Sequence, residues 1–562
     1  MSNLLHVRQG IRNIPEICYR QGLSKAVICP GSRNAPLILS FTKHPSMDCL
    51  SIIDERSAGY FALGMSQLKG EPVAIVCTSG TAVLNIAPAV AEAHYQNLPL
   101  IVFTADRPKE WIDQADGQTI RQTGIFNNYI KQSFEVPLET AEQDDLWYFN
   151  RVISQAIDTA TRFPAGPVHI NVPLREPLYT PLPENFEISN IIRSQNLKAE
   201  VPIENMSHYT QKWLQFSRKM IIFGIGRQDI RLNNLANELA LRNDCIVIGE
   251  NISNIAGEDI IYAPEAWVAS LSEDEKKQCR PDLIITIGEG IISKRFKQYL
   301  RSYPPAEQWH IGTSANYTDT YKSLSAIIQA DPFAFLSALN KLTINEQGFP
   351  KQLKEPNKVL TQKHREYVAK TEWSDFRLIH GVLHEIPGDS VIHLANSSPV
   401  RYSQLSASKT DCCYFSNRGT SGIDGCISTA LGSAYLAQKK VYVISGDLAF
   451  IYDSNALWNK YTHLNLKIVV LNNNGGNIFS LIDSGKEMEN AREYFETPHA
   501  VNIRSLAQAY GVAYLECTSF AALPETMATL SQTEVTCILE IKTDAKVNTR
   551  TFKEYYQYIK HA

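Results

Sequence analysis

Short runs of apolar and β-branched residues recur along the chain, each followed by a Gly- or Asp-bearing turn and then a segment with helical spacing. In the first third the runs are 25–29, 50–53, 73–77, 100–104 and 168–172. The middle third has 220–226, 245–248, 283–288, 309–311 and 326–329, and the last third 391–394, 441–445, 467–471 and 536–541. Continuous apolar strands alternating with helices predict parallel sheets covered on both faces. Two stretches break the rhythm. Segment 175–209 carries Pro177, Pro181, Pro183 and Pro202 among polar residues, and 340–373 is lysine-rich with Pro350 and Pro356. Both read as connectors with room for a short helix. The pattern therefore predicts three doubly wound α/β domains, over 1–180, 205–340 and 372–562. A faint echo joins the first and last, 95–102 against 461–468, each a helix end feeding a parallel strand. It reads equally as a duplication or as the ordinary form of such junctions.

Composition narrows the class. A chain of 562 residues is too long for one hydrophobic core, and 44% apolar with 20% charged residues describes an ordinary soluble protein. A net charge of -4 lacks the basic excess of nucleic-acid binders. No apolar run approaches the roughly 18 residues of a membrane span. The first 22 residues have no secretory apolar region. Arg8 and Arg12 resemble a transit peptide, and Glu16 with the early strand pattern opposes that reading. The eleven cysteines are scattered without a Cys-x-x-Cys pair, as reduced thiols packed in a cytoplasmic protein would be.

The strongest chemistry lies in the last domain. The strand 441–445 ends at Gly446-Asp447, a helical pattern runs through Ala456, Leu457 and Tyr461, and the strand 467–471 ends at Asn472-Asn473-Asn474-Gly475-Gly476. In a right-handed strand–helix–strand unit both strand ends reach the same sheet edge, so Asp447 and Asn474 converge. A carboxylate, an amide oxygen and a nearby carbonyl suit a hard cation, magnesium or manganese, that shares its remaining positions with phosphate. The glycines allow close approach of a diphosphate. This segment resembles the thiamine-diphosphate fingerprint, with Leu448 where glycine is usual. A thiamine cofactor also needs a glutamate from a second domain. Glu55, at a strand end in Asp54-Glu55-Arg56, is the candidate, beside the plainer reading of a first-turn acid on a helix dipole.

Further motifs widen the resemblance to the whole chain. They are Cys29-Pro30-Gly31-Ser32-Arg33-Asn34-Ala35-Pro36, Thr78-Ser79-Gly80-Thr81, Thr104-Ala105-Asp106-Arg107-Pro108, the segment 416–425 beginning Ser416-Asn417-Arg418-Gly419, and 472–479. Together these resemble the 2-succinyl-5-enolpyruvyl-6-hydroxy-3-cyclohexene-1-carboxylate synthases, thiamine-diphosphate enzymes of menaquinone biosynthesis. The resemblance implies decarboxylation of 2-oxoglutarate and conjugate addition of the succinyl-carbanion equivalent to isochorismate. Both substrates are dianions, which accords with arginines and lysines at turn positions. The resemblance gives Glu55 the activation of the aminopyrimidine. It gives the metal to Asp447, Asn474 and the Gly476 carbonyl, with Gly446 and Leu448 beside the diphosphate. Ile423 would sit under the bent cofactor, and Ile478 and Phe479 would line an apolar wall. Ser32, Arg33, Arg107, Gln118, Lys294 and Arg295 would contact isochorismate, and Ser397, Arg401 and Arg418 the 2-oxoglutarate side. Pro399 departs from the family pattern. The fold class implies a homodimer or homotetramer with active sites at the subunit interface.

Three rivals remain. One is a thiamine-diphosphate decarboxylase or carboligase for another 2-oxo acid, and one a binding protein that has lost its chemistry. The third is a nucleotide-binding protein using Gly224 and Gly226, although Asp229 stands where a third glycine is needed.

Overall fold

The computed structural model describes residues 7–188, 191–194, 203–312, 317–343, 349–461, 464–481 and 492–560. The described chain forms three all-parallel sheets. In the first, β1 (Lys25–Ile28), β2 (Asp48–Ser51), β3 (Val73–Cys77), β4 (Leu100–Asp106), β5 (Ser133–Glu135) and β6 (Val168–Pro173) take the order β2-β1-β3-β4-β6-β5. The middle sheet holds β7 (Lys219–Phe223), β8 (Cys245–Gly249), β9 (Leu283–Ile287), β10 (Glu307–Gly312) and β11 (Leu324–Gln329), in the order β11-β10-β9-β7-β8. The last holds β12 (Val391–Leu394), β13 (Cys413–Phe415), β14 (Val441–Gly446), β15 (Leu466–Asn472), β16 (Ala513–Cys517) and β17 (Cys537–Lys542), in the order β13-β12-β14-β15-β17-β16. The central strands β3, β4, β14 and β15 are buried almost throughout, which is why they read as largely apolar runs.

The strands absent from the sequence pattern are β5, β13 and β16, and each lies at a sheet edge. Edge strands pack against fewer neighbours, so Ser133–Glu135 and Ala513–Cys517 carry polar residues and are only partly buried. The run expected at 50–53 begins earlier, at Asp48, because the register pairs Lys25 with Asp48 and ends Ile28 against Ser51. The second connector is no short helix: Phe349–Lys370 is one continuous 22-residue helix. Its Lys, Gln and Glu content favours helix, and Pro350 falls in the first turn, where its missing N–H costs nothing. The helix docks through Tyr367, whose hydroxyl donates to the Thr551 carbonyl at 2.7 Å. The long helical pattern expected after Gly446 is instead a short helix, Asp447–Tyr452, followed by a 3-10 turn, Ser454–Leu457.

The first and last sheets share one topology, and the echo falls at equivalent places, the entries to β4 and β15. Thr462 and His463 of the echo lie outside the described residues. Equivalent helices, Glu55–Lys69 and Cys426–Leu436, pack face to face. A Cβ on Gly64 would lie 1.9 Å from the Thr429 carbonyl oxygen, and one on Gly432 would lie 2.0 Å from that of Phe61. Phe61 and Gly64 stand at i and i+3, as Thr429 and Gly432 do, so the contact is reciprocal about a local two-fold. Gly64→Ala is therefore expected to destabilise. Overpacking against backbone costs about 1–3 kcal/mol or more, against roughly 1 kcal/mol gained in helix propensity. A thermal melt checks this; an unchanged or raised midpoint refutes it.

Candidate active site

The C-terminal edge of the last sheet assembles the cradle. Gly446 ends β14, and Asp447 opens the next helix with its carboxylate buried. Leu448 N–H donates to Asp447 Oδ1 at 2.7 Å and Gly475 N–H to Oδ2 at 2.9 Å. His499 Nε2 also lies 3.2 Å from Oδ2. Burial raises the Asp447 carboxyl, while these hydrogen bonds and His499 lower it. Across from it, Asn474 adopts φ 60°, held by its N–H donating to Asn472 Oδ1 at 3.0 Å. Asn472 is buried and donates to Glu540 at 2.6 Å, and Asn473 donates to the buried Asp375 at 2.8 Å. Two of the three asparagines thus point into the protein as anchors. The exposed Asn474 amide makes no hydrogen bond among the described residues. Gly476 N–H donates to the Glu496 carbonyl at 2.6 Å, and Leu448 packs against Gly476.

This donor set fits a hard divalent cation and a diphosphate. A carboxylate has about four lone-pair sites, and three protein donors leave one for a metal. The Asn474 amide oxygen and the Gly476 carbonyl add neutral oxygen donors. A Cβ at Gly446 would meet nothing within 4 Å, so the strand end opens onto free space. Among the described residues there is no cluster of three His, Cys, Asp or Glu able to hold a metal, so a cation here depends on amide and carbonyl oxygens. Ile423 lies over the same edge, against Ala395, Cys426 and Ala449. Ile478 is half-buried, and Phe479 meets Phe495 with ring centroids 5.7 Å apart.

A second group lies on the C-terminal edge of the first sheet. Arg33 is buried in the turn after β1, donating to the Leu174 carbonyl at 3.0 Å and Glu176 at 3.2 Å. Ser32 beside it is exposed. Arg107 follows β4, pairs with Asp116 at 2.6 Å and donates to the Gly117 carbonyl at 2.6 Å. Gln118 adopts φ 54°, and its carbonyl accepts from Ser79 Oγ at 2.8 Å. Gly80 adopts φ 85°, where a side chain is strained, and a Cβ there would also lie a tight 3.2 Å from Gln118 Cα, so glycine is favoured. Glu55 opens the helix after β2, where Asp54 caps the Ser57 N–H. Its carboxylate accepts from Asn85 at 3.3 Å, and its charge adds to burial in raising the Cys77 thiol. Ser32, Arg33, Glu55, Arg107 and Gln118 therefore share one sheet edge.

The third group joins the middle and last domains. Ser397 adopts φ 76° after β12, and Arg401 donates to its carbonyl at 2.9 Å. Pro399 falls in the first turn of the helix Ser398–Ser403, which it suits. Arg418 follows β13 and donates to Asn396 Oδ1 at 2.9 Å. Lys294 and Arg295 open a helix of the middle domain, and Arg295 pairs with Glu265 at 3.2 Å. Burial and Arg401 lower the Arg418 guanidinium; Glu250 and Glu92 raise it.

Several supporting residues escape the sequence reading. Glu92, buried on a first-domain helix, accepts from the Gly419 and Thr420 N–H groups at 2.7 Å each and so fixes the Arg418 loop from another domain. His499, Asp375 and Glu250 are the others. Only Glu250 carries a local signal, an acid directly after a wholly apolar strand. Among the described residues Glu55 makes no hydrogen bond or ion pair with the Asp447 cradle. Its neighbours approach the following turn instead: Asn455 donates to Asp54 at 2.8 Å and Arg56 to the Tyr452 carbonyl at 2.8 Å.

Among the described residues the Gly224 turn opens only onto a small cavity of about 40 Å³, lined also by Gly288, Glu289 and His310, which is too small for a nucleotide. The middle sheet has a flavodoxin-like order, whose ligand site lies between β7 and β9. There Gly224 N–H donates to the Ile287 carbonyl at 2.8 Å and Glu289 N–H to that of Ile225 at 3.0 Å, narrowing the gap with backbone. Asp229 caps the helix Ile230–Leu241. Arg227 reaches the Ser66 and Gln67 carbonyls, and Gln228 those of Thr410 and Cys412, so the turn clamps three domains together.

Known families cover most of the chain. Residues 9–127 match the N-terminal TPP binding domain of thiamine pyrophosphate enzymes, 204–394 their middle domain and 399–541 their C-terminal TPP binding domain. The 2-succinyl-5-enolpyruvyl-6-hydroxy-3-cyclohexene-1-carboxylate synthase of Flavobacterium psychrophilum is 38% identical over 97% of this chain and 98% of its own. The synthases of the same name from Cytophaga hutchinsonii and Bacteroides thetaiotaomicron are 37% identical over 99% of both chains, and 36% identical over 98% of this chain and 99% of the relative. No helix among the described residues is long and apolar enough to cross a membrane.

Proposed function

Because this chain belongs to the 2-succinyl-5-enolpyruvyl-6-hydroxy-3-cyclohexene-1-carboxylate synthase family, we propose that it decarboxylates 2-oxoglutarate and adds the succinyl-carbanion equivalent to isochorismate, releasing carbon dioxide in a step of menaquinone biosynthesis. The observation that carries this reading is a pair of cation groups, suited to two dianions. Arg33 and Arg107 lie on one sheet edge, and Arg401, Arg418, Lys294 and Arg295 lie where the middle and last domains meet.

Bound thiamine diphosphate supplies carbanion chemistry at its thiazolium carbon. The remaining roles belong to the chain. Asp447, Asn474 and the Gly476 carbonyl hold magnesium or manganese, and Gly446 and Leu448 border the diphosphate. Ile423, Ile478 and Phe479 keep the reacting centre apolar, which strengthens nearby charge interactions. Glu55 would hold the proton that the aminopyrimidine ring takes up when the cofactor is bound. Ser32, Arg33, Arg107, Gln118, Lys294 and Arg295 orient isochorismate; Ser397, Arg401 and Arg418 orient 2-oxoglutarate. Guanidinium forks suit such carboxylates.

We assign 1–180 to pyrimidine binding, 205–340 to the central domain and 372–562 to diphosphate and metal binding. Glu55 and Asp447 then meet across subunits of a cytoplasmic homodimer or homotetramer. Exposed apolar side chains support this: Ile53 and Leu84 flank Glu55, and Tyr452 and Trp458 follow the Asp447 cradle.

A two-substrate assay tests the reaction. Carbon dioxide release from 2-oxoglutarate is expected to need thiamine diphosphate and a divalent metal, and to rise strongly with isochorismate. Turnover of pyruvate in its place overturns the reading in favour of another 2-oxo acid carboligase.

A further inference from the structure

The helix Lys294–Ser302 opens on Lys294, Arg295 and Lys297, with no acid in its first turn. Cations at a helix N-terminus oppose its dipole, so helix stability gives no reason to gather them there. Two carboxylates from neighbouring elements take the place of first-turn acids. Glu250, buried directly after β8, accepts from the Ser293 N–H at 2.7 Å and also from the Ile292 N–H. Glu265 accepts from the Arg295 N–H at 3.0 Å and Ser293 Oγ at 2.6 Å. Arg295 is tied back by its ion pair with Glu265, and its guanidinium stacks 4.6 Å from the Tyr556 ring centroid.

Lys297 differs. It stands at i+3 from Lys294, on the same helix face, and is half-buried. It forms no ion pair among the described residues. Its ammonium instead feels Glu250, Arg418, Arg301 and Glu265 at longer range. Arg418 in turn feels Arg401, Glu250 and Glu92, and Arg401 feels Glu265. Glu250 and Glu265 are already engaged with backbone N–H groups. The region between the middle and last domains therefore gathers cations that burial makes costly, and a small dianion would offset that cost.

We propose that Lys297 is a further specificity-determining cation, which together with Arg418 takes a carboxylate of a dicarboxylate substrate, on a helix turn held by Glu250. The proposal rests on the function given above. Lys297 differs from Arg295 in its bracing: Arg295 is held in place by Glu265, whereas Lys297 has no such ion pair among the described residues.

The test is steady-state kinetics of the full-length Lys297→Met enzyme with 2-oxoglutarate and isochorismate, each varied in turn. The KM of one substrate is expected to rise about tenfold or more with kcat within about threefold, as befits a lost charge-assisted contact. The substrate affected identifies the dicarboxylate that Lys297 meets. Lys297→Arg is expected to recover most of the loss. Lys297→Gln carries the same comparison if the Met variant folds poorly. Both KM values within about twofold of wild type, at an unchanged melting temperature, overturn the proposal, as does a fall in kcat alone. A wild-type enzyme that turns over neither dicarboxylate overturns the functional reading itself, and that result appears before any variant is compared.

Discussion

Glu55→Gln is expected to leave thiamine diphosphate bound and to lower turnover by at least about 100-fold, the scale of a lost acid–base group. The variant removes little else. Glu55 begins the helix Glu55–Lys69, and the one hydrogen bond its carboxylate makes among the described residues, from Asn85 at 3.3 Å, can be kept by the Gln carbonyl. The helix cap is Asp54, whose carboxylate holds both the Ser57 N–H and the Asn455 amide independently of Glu55. Losing a first-turn charge costs about 0.3–1 kcal/mol, too little to unfold a domain. On the proposed role, what would disappear is the proton for the aminopyrimidine ring, since a neutral amide has no acidic proton to give. Cofactor affinity by titration calorimetry and kcat in the two-substrate assay separate binding from chemistry. Near-normal turnover removes Glu55 from this role.

The fold was legible wherever a strand is buried on both faces. The runs at β3, β4, β14 and β15 are apolar because helices cover them on both sides. Ser133–Glu135 was illegible for the converse reason: an edge strand needs only one ladder and one partly covered face, and three mixed residues meet that need. The helix Phe349–Lys370 reads as a connector in sequence because its prolines outweigh a helix-forming composition, although one of them lies where proline is tolerated. The Asp447–Asn474 cradle was legible because its logic is local: two strand ends of one unit must reach the same edge. The roles of the asparagines were less so, since Asn472 and Asn473 are turned inward by Glu540 and Asp375, far away in sequence. Glu92 illustrates the general limit. Nothing near it in the chain marks an acid that will fix the Arg418 loop across a domain boundary.

Asp447→Asn is the sharper test of the cradle, and it is expected to weaken metal-dependent binding of thiamine diphosphate by more than about 100-fold. Loss of a metal's outer-shell partner alone costs roughly 10–100-fold in affinity; this change removes the only charged donor of the proposed set. The alternative effect, collapse of the loop, is limited by the choice of Asn. Its carbonyl can still accept one of the two backbone N–H groups that now bind Asp447, from Leu448 at 2.7 Å or Gly475 at 2.9 Å. The other N–H loses its acceptor, which costs about 1–3 kcal/mol where it stays buried, so a modest fall in melting temperature should accompany the loss. Asn472 and Asn473 keep their own anchors in either case. Calorimetric titration with thiamine diphosphate, with and without magnesium, distinguishes the two effects. If the metal acts through Asp447, magnesium enhances binding to the wild type and scarcely changes binding to the variant. Equal enhancement by magnesium in both proteins would falsify Asp447 as the ligand and return Asn474 and the Gly476 carbonyl to the status of ordinary turn residues.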